Sequence, residues 1–137
     1  MNATLLYRIA SALLVLFAVG HTIGFLRFRP ANAEAAAVYD AMRNVHFQVG
    51  GTSFSYGGFY IGFGLFVTAY LLFSAYLAWY LGDLAATNAQ AIGTLRWAFF
   101  ATQLAVVALS WIYFSAAPVV LAALVAACVG FAAWLIK

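Results

Sequence analysis

The chain has 137 residues, 68% of them hydrophobic and 7% charged, with a net charge of +3 and a mean hydropathy of +1.03. One domain is what this length allows. So few charges exclude a water-soluble fold, in which about a quarter of residues are charged, and with no basic cluster there is no case for nucleic-acid binding. The single cysteine, Cys128, excludes an internal disulfide. The small positive excess suits contact with anionic lipid heads.

The first apolar run, residues 5–26, has about the 20 residues a helix needs to cross hydrocarbon. Tyr7, Ala10, Leu14, Phe17 and His21 recur at helical spacing, and Arg27, Arg29 and Pro30 stop the run. Arg8, the apolar stretch and Ala31-Asn32-Ala33 resemble a secretory leader with its cleavage site. The run is long enough to span, and two arginines separate it from that site, so it is expected to stay as a transmembrane helix.

Residues 31–52 are polar. Val38, Met42, Val45 and Val49 repeat at i, i+4, i+7 and i+11, which predicts an amphipathic helix in the interface, ended by Gly50-Gly51-Thr52-Ser53. The second span, residues 54–81, rises about 42 Å for about 28 residues, so it must tilt, bend or project. Along it Tyr56, Phe59, Phe63, Phe66, Tyr70, Phe73, Leu77 and Tyr80 form a stripe. A helix-packing seam is the first reading of this stripe, and the wall of a pocket for a flat ligand is the second. Trp79 and Tyr80 suit an interfacial belt.

Gly82 and Asp83 begin a loop, with Thr87 or Asn88 as a cap for the third span, residues 92–114. Arg96, Gln103 and Ser110 lie seven apart as a thin polar stripe. Arg96 is expected to snorkel to the surface, and Gln103 to seek a hydrogen bond between helices. Pro118 opens the fourth span, residues 118–136, which is rich in alanine and anchored by Lys137. The fold class is thus all-α, a bundle of four transmembrane helices with an amphipathic connection between the first two. The positive-inside count ties Arg8, Arg96 and Lys137 against Arg27, Arg29 and Arg43. Counting Arg43 less, because it sits in a folded-back helix, puts both termini in the cytoplasm.

Most ionisable chemistry falls between two glycine pairs, Gly20 with Gly24 and Gly58 with Gly62, each four residues apart. Such faces admit a neighbouring backbone, so these four glycines are the expected packing contacts of antiparallel helices. His21 and His46 are the only imidazoles and the candidate cofactor ligands, as the axial pair of a haem. Arg43, Tyr56, Tyr60 and Gln103 are the candidate ligand-binding side chains. His21 is expected first as a structural group bonded to a backbone carbonyl or to Tyr56 or Tyr60. No predicted span carries an acidic residue, which argues against a proton-coupled cation exporter. No nucleophile–base spacing and no metal-binding cluster is present.

The runs Gly20-His21-Thr22-Ile23-Gly24-Phe25, Met42 with Phe47 and Gly50, Phe59-Tyr60-Ile61-Gly62-Phe63-Gly64-Leu65, and Leu81-Gly82 resemble blocks of an uncharacterised family of small bacterial four-span integral membrane proteins. The resemblance covers residues 15–82 and implies topology and an inner (cytoplasmic) membrane location, but no reaction. The glutathione-dependent eicosanoid family also has four spans, yet its polar motif has no counterpart in the second span here. Two functions are expected from the sequence. The first is a non-catalytic subunit of a membrane complex or homo-oligomer, enclosing a lipid or quinone. The second is a membrane-embedded enzyme or haem protein using His21 and His46.

Overall fold

The computed structural model describes residues 2–136; Lys137, the expected anchor of the last helix, lies outside the described residues. The elements are α1 (Ala3–Leu26), α2 (Ala33–Asn44), β1 (His46–Val49), β2 (Thr52–Ser55), α3 (Tyr56–Thr87), a 3-10 turn (Ala89–Ile92), α4 (Leu95–Tyr113) and α5 (Ala116–Leu135). α1, α3, α4 and α5 are each long and apolar enough to cross a membrane. The protein is an all-α, multi-pass membrane protein apart from one short hairpin. Its 32-residue α3 is about 48 Å long, well beyond a hydrocarbon core of about 30 Å.

Two compact units divide the chain: one takes everything through Phe17 and from Leu71 onward, and the other is Ala18–Tyr70. In the first unit, Leu6, Tyr7, Ala10 and Leu14 of α1 and Leu71, Ser74, Ala75, Ala78 and Leu81 of α3 are buried at helical spacing. Ser11 ties the two helices, its hydroxyl donating to the Ala75 carbonyl at 2.8 Å. Of all the helices, α4 and α5 run closest together, because α5 presents Ala122, Ala126, Ala132 and Ala133 inward. Lipid tails are as apolar as these side chains, so close van der Waals fit has to hold the pair. At Gly130 the Phe100 ring lies where a Cβ would be, 2.6 Å from its ideal position.

Helix α3 runs past its expected end. Gly82 and Asp83 sit inside it rather than in a loop, because Asp83 finds an ion-pair partner in Arg8 and Leu84-Ala85-Ala86 are good helix formers. Asn88 begins only the 3-10 turn, without a side-chain cap. Thr87 bonds back to the Asp83 carbonyl instead. Pro118 lies within the first turn of α5, which starts at Ala116; there its missing N–H costs no helical bond.

In the second unit, Asn32 caps α2 by accepting from the Ala35 amide at 2.8 Å. Glu34 in the first turn and Arg43 in the last agree with the helix dipole. The predicted amphipathic helix stops at Asn44, and Val45 and Val49 are not on it. The chain turns instead into an antiparallel hairpin that pairs His46 with Ser55, Phe47 with Phe54, Gln48 with Ser53 and Val49 with Thr52. Gly50 and Gly51 have φ of 57° and 81°. Two successive left-handed residues make the primed turn that matches strand twist, which glycine enters without steric cost.

A histidine clamp between α1 and α3

The site expected from the sequence lies in the second unit, where the end of α1 meets the start of α3. His21 and Phe25 share one face of α1, and Tyr60, Gly64 and Thr68 follow at four-residue steps along α3. The Nε2–H of His21 donates to the Gly64 carbonyl at 3.0 Å. One helical step away, the Thr22 hydroxyl lies 2.7 Å from the Ala18 carbonyl. The Thr22 and Thr68 hydroxyls are 2.9 Å apart. The Thr68 hydroxyl is also 3.3 Å from the Gly64 carbonyl, so the carbonyls of Ala18 and Gly64 are the two acceptors open to this hydroxyl pair, and either threonine can supply the proton between them. Both threonine hydroxyls of this seam are satisfied inside the chain, as a hydrocarbon surrounding demands.

Phe25 closes the seam. Its ring stacks beside His21, with centroids 5.6 Å apart and planes at 3°, and touches Tyr60 at 5.2 Å. An ideal Cβ on Gly64 would fall 2.2 to 2.6 Å from atoms of the Phe25 ring. Glycine is therefore required at 64 by close approach, and the histidine clamp needs it. The close contacts expected at the two glycine pairs do not occur within the chain. A Cβ at Gly20, Gly24 or Gly62 would meet nothing within 4 Å, and at Gly58 only the Ser55 hydroxyl. The face that receives α1 is set by the Phe25 ring rather than by two backbones meeting, so the contact falls at Gly64.

His21 and His46 are not brought together. His46 is exposed, its Nδ1 bonded to the Asn44 carbonyl at 2.8 Å, and it stands opposite Ser55 in the hairpin. From Tyr56, where that hairpin enters α3, to Gly64 is eight residues, about 12 Å along the axis. Each imidazole is engaged with a backbone carbonyl, His21 with that of Gly64 and His46 with that of Asn44. Among the described residues, no group of three or more His, Cys, Asp or Glu converges on one point.

The other predicted ligand-binding residues scatter. Tyr56 packs on Phe47 at 4.9 Å. The Arg43 side chain lies along α3 at Gly57, 3.2 Å from the position of a Cβ there. Tyr60 alone lines a concavity of about 500 Å³, together with Phe28, Glu34, Val38, Tyr39 and Met42. Gln103 is buried at 2% exposure in the first unit, not in this one. Much of the aromatic stripe of α3 faces out of the chain: Phe66 is 72% exposed, and Phe59, Phe63 and Phe73 are exposed as well. Phe47, Phe59, Phe63 and Phe66 form an edge-to-face ladder along that outer surface.

In the first unit, Arg8 pairs with Asp83 while its guanidinium lies 3.3 Å over the Trp79 ring. Nothing in the linear order announces this pair, since Arg8 and Asp83 stand 75 positions apart. Arg96 turns across the end of α5 to donate to the Ile136 carbonyl, taking up one of the acceptors that a helix end leaves open.

Comparison with protein families, with characterised proteins and with solved structures finds no match to this chain.

Proposed function

We propose that this chain is a non-catalytic component of a membrane assembly, built to pack against another membrane polypeptide or against copies of itself. The observation that carries this reading is the engagement of His21, the best candidate for chemistry in the spans. Its Nε2–H is committed to the Gly64 carbonyl and its face to the Phe25 ring. The residue joins α1 to α3. On the flanks of that joint, Gly20, Gly24 and Gly62 open onto empty space, where a second helix backbone can approach closely. A bacterial inner (cytoplasmic) membrane location with cytoplasmic termini, and membership of the four-span family suggested by the His21 and Gly64 blocks, belong to the same proposal.

Mass measurement in detergent, read beside co-purifying bands, tests it. The expected result is a species heavier than the 14.7 kDa chain, and its reduction to the single chain by Gly24→Leu at unchanged melting temperature. A wild-type protein found alone, monomeric and active on an apolar substrate would overturn the reading.

A further inference from the structure

The first unit carries a second feature, independent of the association proposed above. Its two arginines are treated differently. Arg8 has Asp83 as a counter-charge. Arg96 has no carboxylate partner among the described residues; its Nε, like the Nη1 of Arg8, is buried without a hydrogen-bond partner. A buried cationic donor without an acceptor is costly, so an anionic acceptor is favoured beside it. Arg96 stands at the start of α4, whose first turn has no side-chain cap and whose dipole also favours an anion.

Beside Arg96 opens an apolar groove of about 540 Å³ between α4 and α5, with Trp97, Phe100, Val107, Ala127, Gly130 and Trp134 among its walls. The guanidinium lies 5.7 Å from the Trp97 ring centroid, so charge and groove adjoin. From Trp97 to Val107 the groove follows ten residues of α4, about 15 Å, or half of a hydrocarbon core of about 30 Å. Its charged end carries Trp97 and Trp134, residues suited to the membrane–water interface. Its length is that of one leaflet, with the cation at headgroup level.

We propose that the α4–α5 groove is a binding site for one anionic phospholipid, its acyl chain along Phe100 and Ala127 and its phosphate on Arg96. Nanodiscs holding equal phosphatidylglycerol and phosphatidylcholine provide the test, with retained lipid counted by native mass spectrometry. Wild type should keep one lipid and prefer the glycerol headgroup about fivefold, the effect of one arginine at an anionic surface. R96Q should fall to the input ratio, while R96K retains most of the preference. A127F, which fills the groove from an exposed wall position, should lower retention of both lipids while leaving the helical circular dichroism unchanged. Millimolar glycerol 3-phosphate should not displace the lipid. Equal retention of the two lipids by wild type, full retention by folded A127F, or displacement by the soluble phosphate would each overturn the site. So would loss of the preference in R27Q/R29Q rather than in R96Q.

Discussion

The Gly64 carbonyl accepts the imidazole N–H of His21 at 3.0 Å only because residue 64 has no side chain to push the neighbouring Phe25 ring aside. Gly64→Ala places a methyl group within 2.6 Å of that ring, which overpacks the seam. The expected loss is about 1–3 kcal/mol, read as a lower melting temperature in detergent. Phe25→Ala in the same chain should recover part of it. Gly62→Ala, in open space, should leave stability unchanged; equal losses at 62 and 64 would contradict the seam described here.

Removing the imidazole should cost less than disturbing the glycine. His21→Leu deletes one hydrogen bond between helices, and such bonds in bilayers contribute roughly 0.6 to 2 kcal/mol. Thermal unfolding of the variant beside Thr68→Val separates the two halves of the network. If the single variants and the double variant lose the same amount, the groups act as one unit.

Arg8 should matter more than its acidic partner. With Asp83 about half exposed, the ion pair itself is worth about 0 to 1 kcal/mol. Arg8 also lies flat over Trp79, an interaction of about 0.5 to 2 kcal/mol. Asp83→Asn is therefore expected to be milder than Arg8→Ala. Arg8→Lys should fall between them, because an ammonium lacks the flat guanidinium. A cycle over Arg8 and Trp79, followed by chemical unfolding, gives the coupling directly.

The hairpin turn should tolerate no branched residue. Gly50→Val or Gly51→Val forces a β-branched side chain to positive φ, at a cost of at least about 1 kcal/mol. Faster amide exchange across residues 46–55 is the expected readout, with exchange in α4 and α5 unaffected.

The spans were legible in the sequence because length and hydropathy are enough to identify a membrane helix. Which face of each turns inward was not. α3 is apolar all round, so its aromatic stripe follows helical spacing as well as the buried face does; lipid accepts Phe66 as readily as a protein core would. The informative residues were the small ones, Ser74, Ala75 and Ala78, which permit close approach. The hairpin was missed because Val45 and Val49 fit a helical repeat, while the stronger signal, two adjacent glycines between short β-prone runs, was read only as a stop. For His21 the sequence suggested a backbone carbonyl or the hydroxyl of Tyr56 or Tyr60 as partner, and the carbonyl of Gly64 is what it meets. Its partner glycine depended on where Phe25 lands, and spacing along one helix does not contain that information.

Helix α3 outreaches an average bilayer by about 18 Å. A span of that kind responds to the thickness of the surrounding lipid by leaning, and it leans less where the lipid is thicker. Asp83, near the far end of this helix, carries its own counter-ion in Arg8. The terminal turns can therefore dip toward hydrocarbon or rise into water without stranding a naked carboxylate, and one sequence suits membranes of different depth.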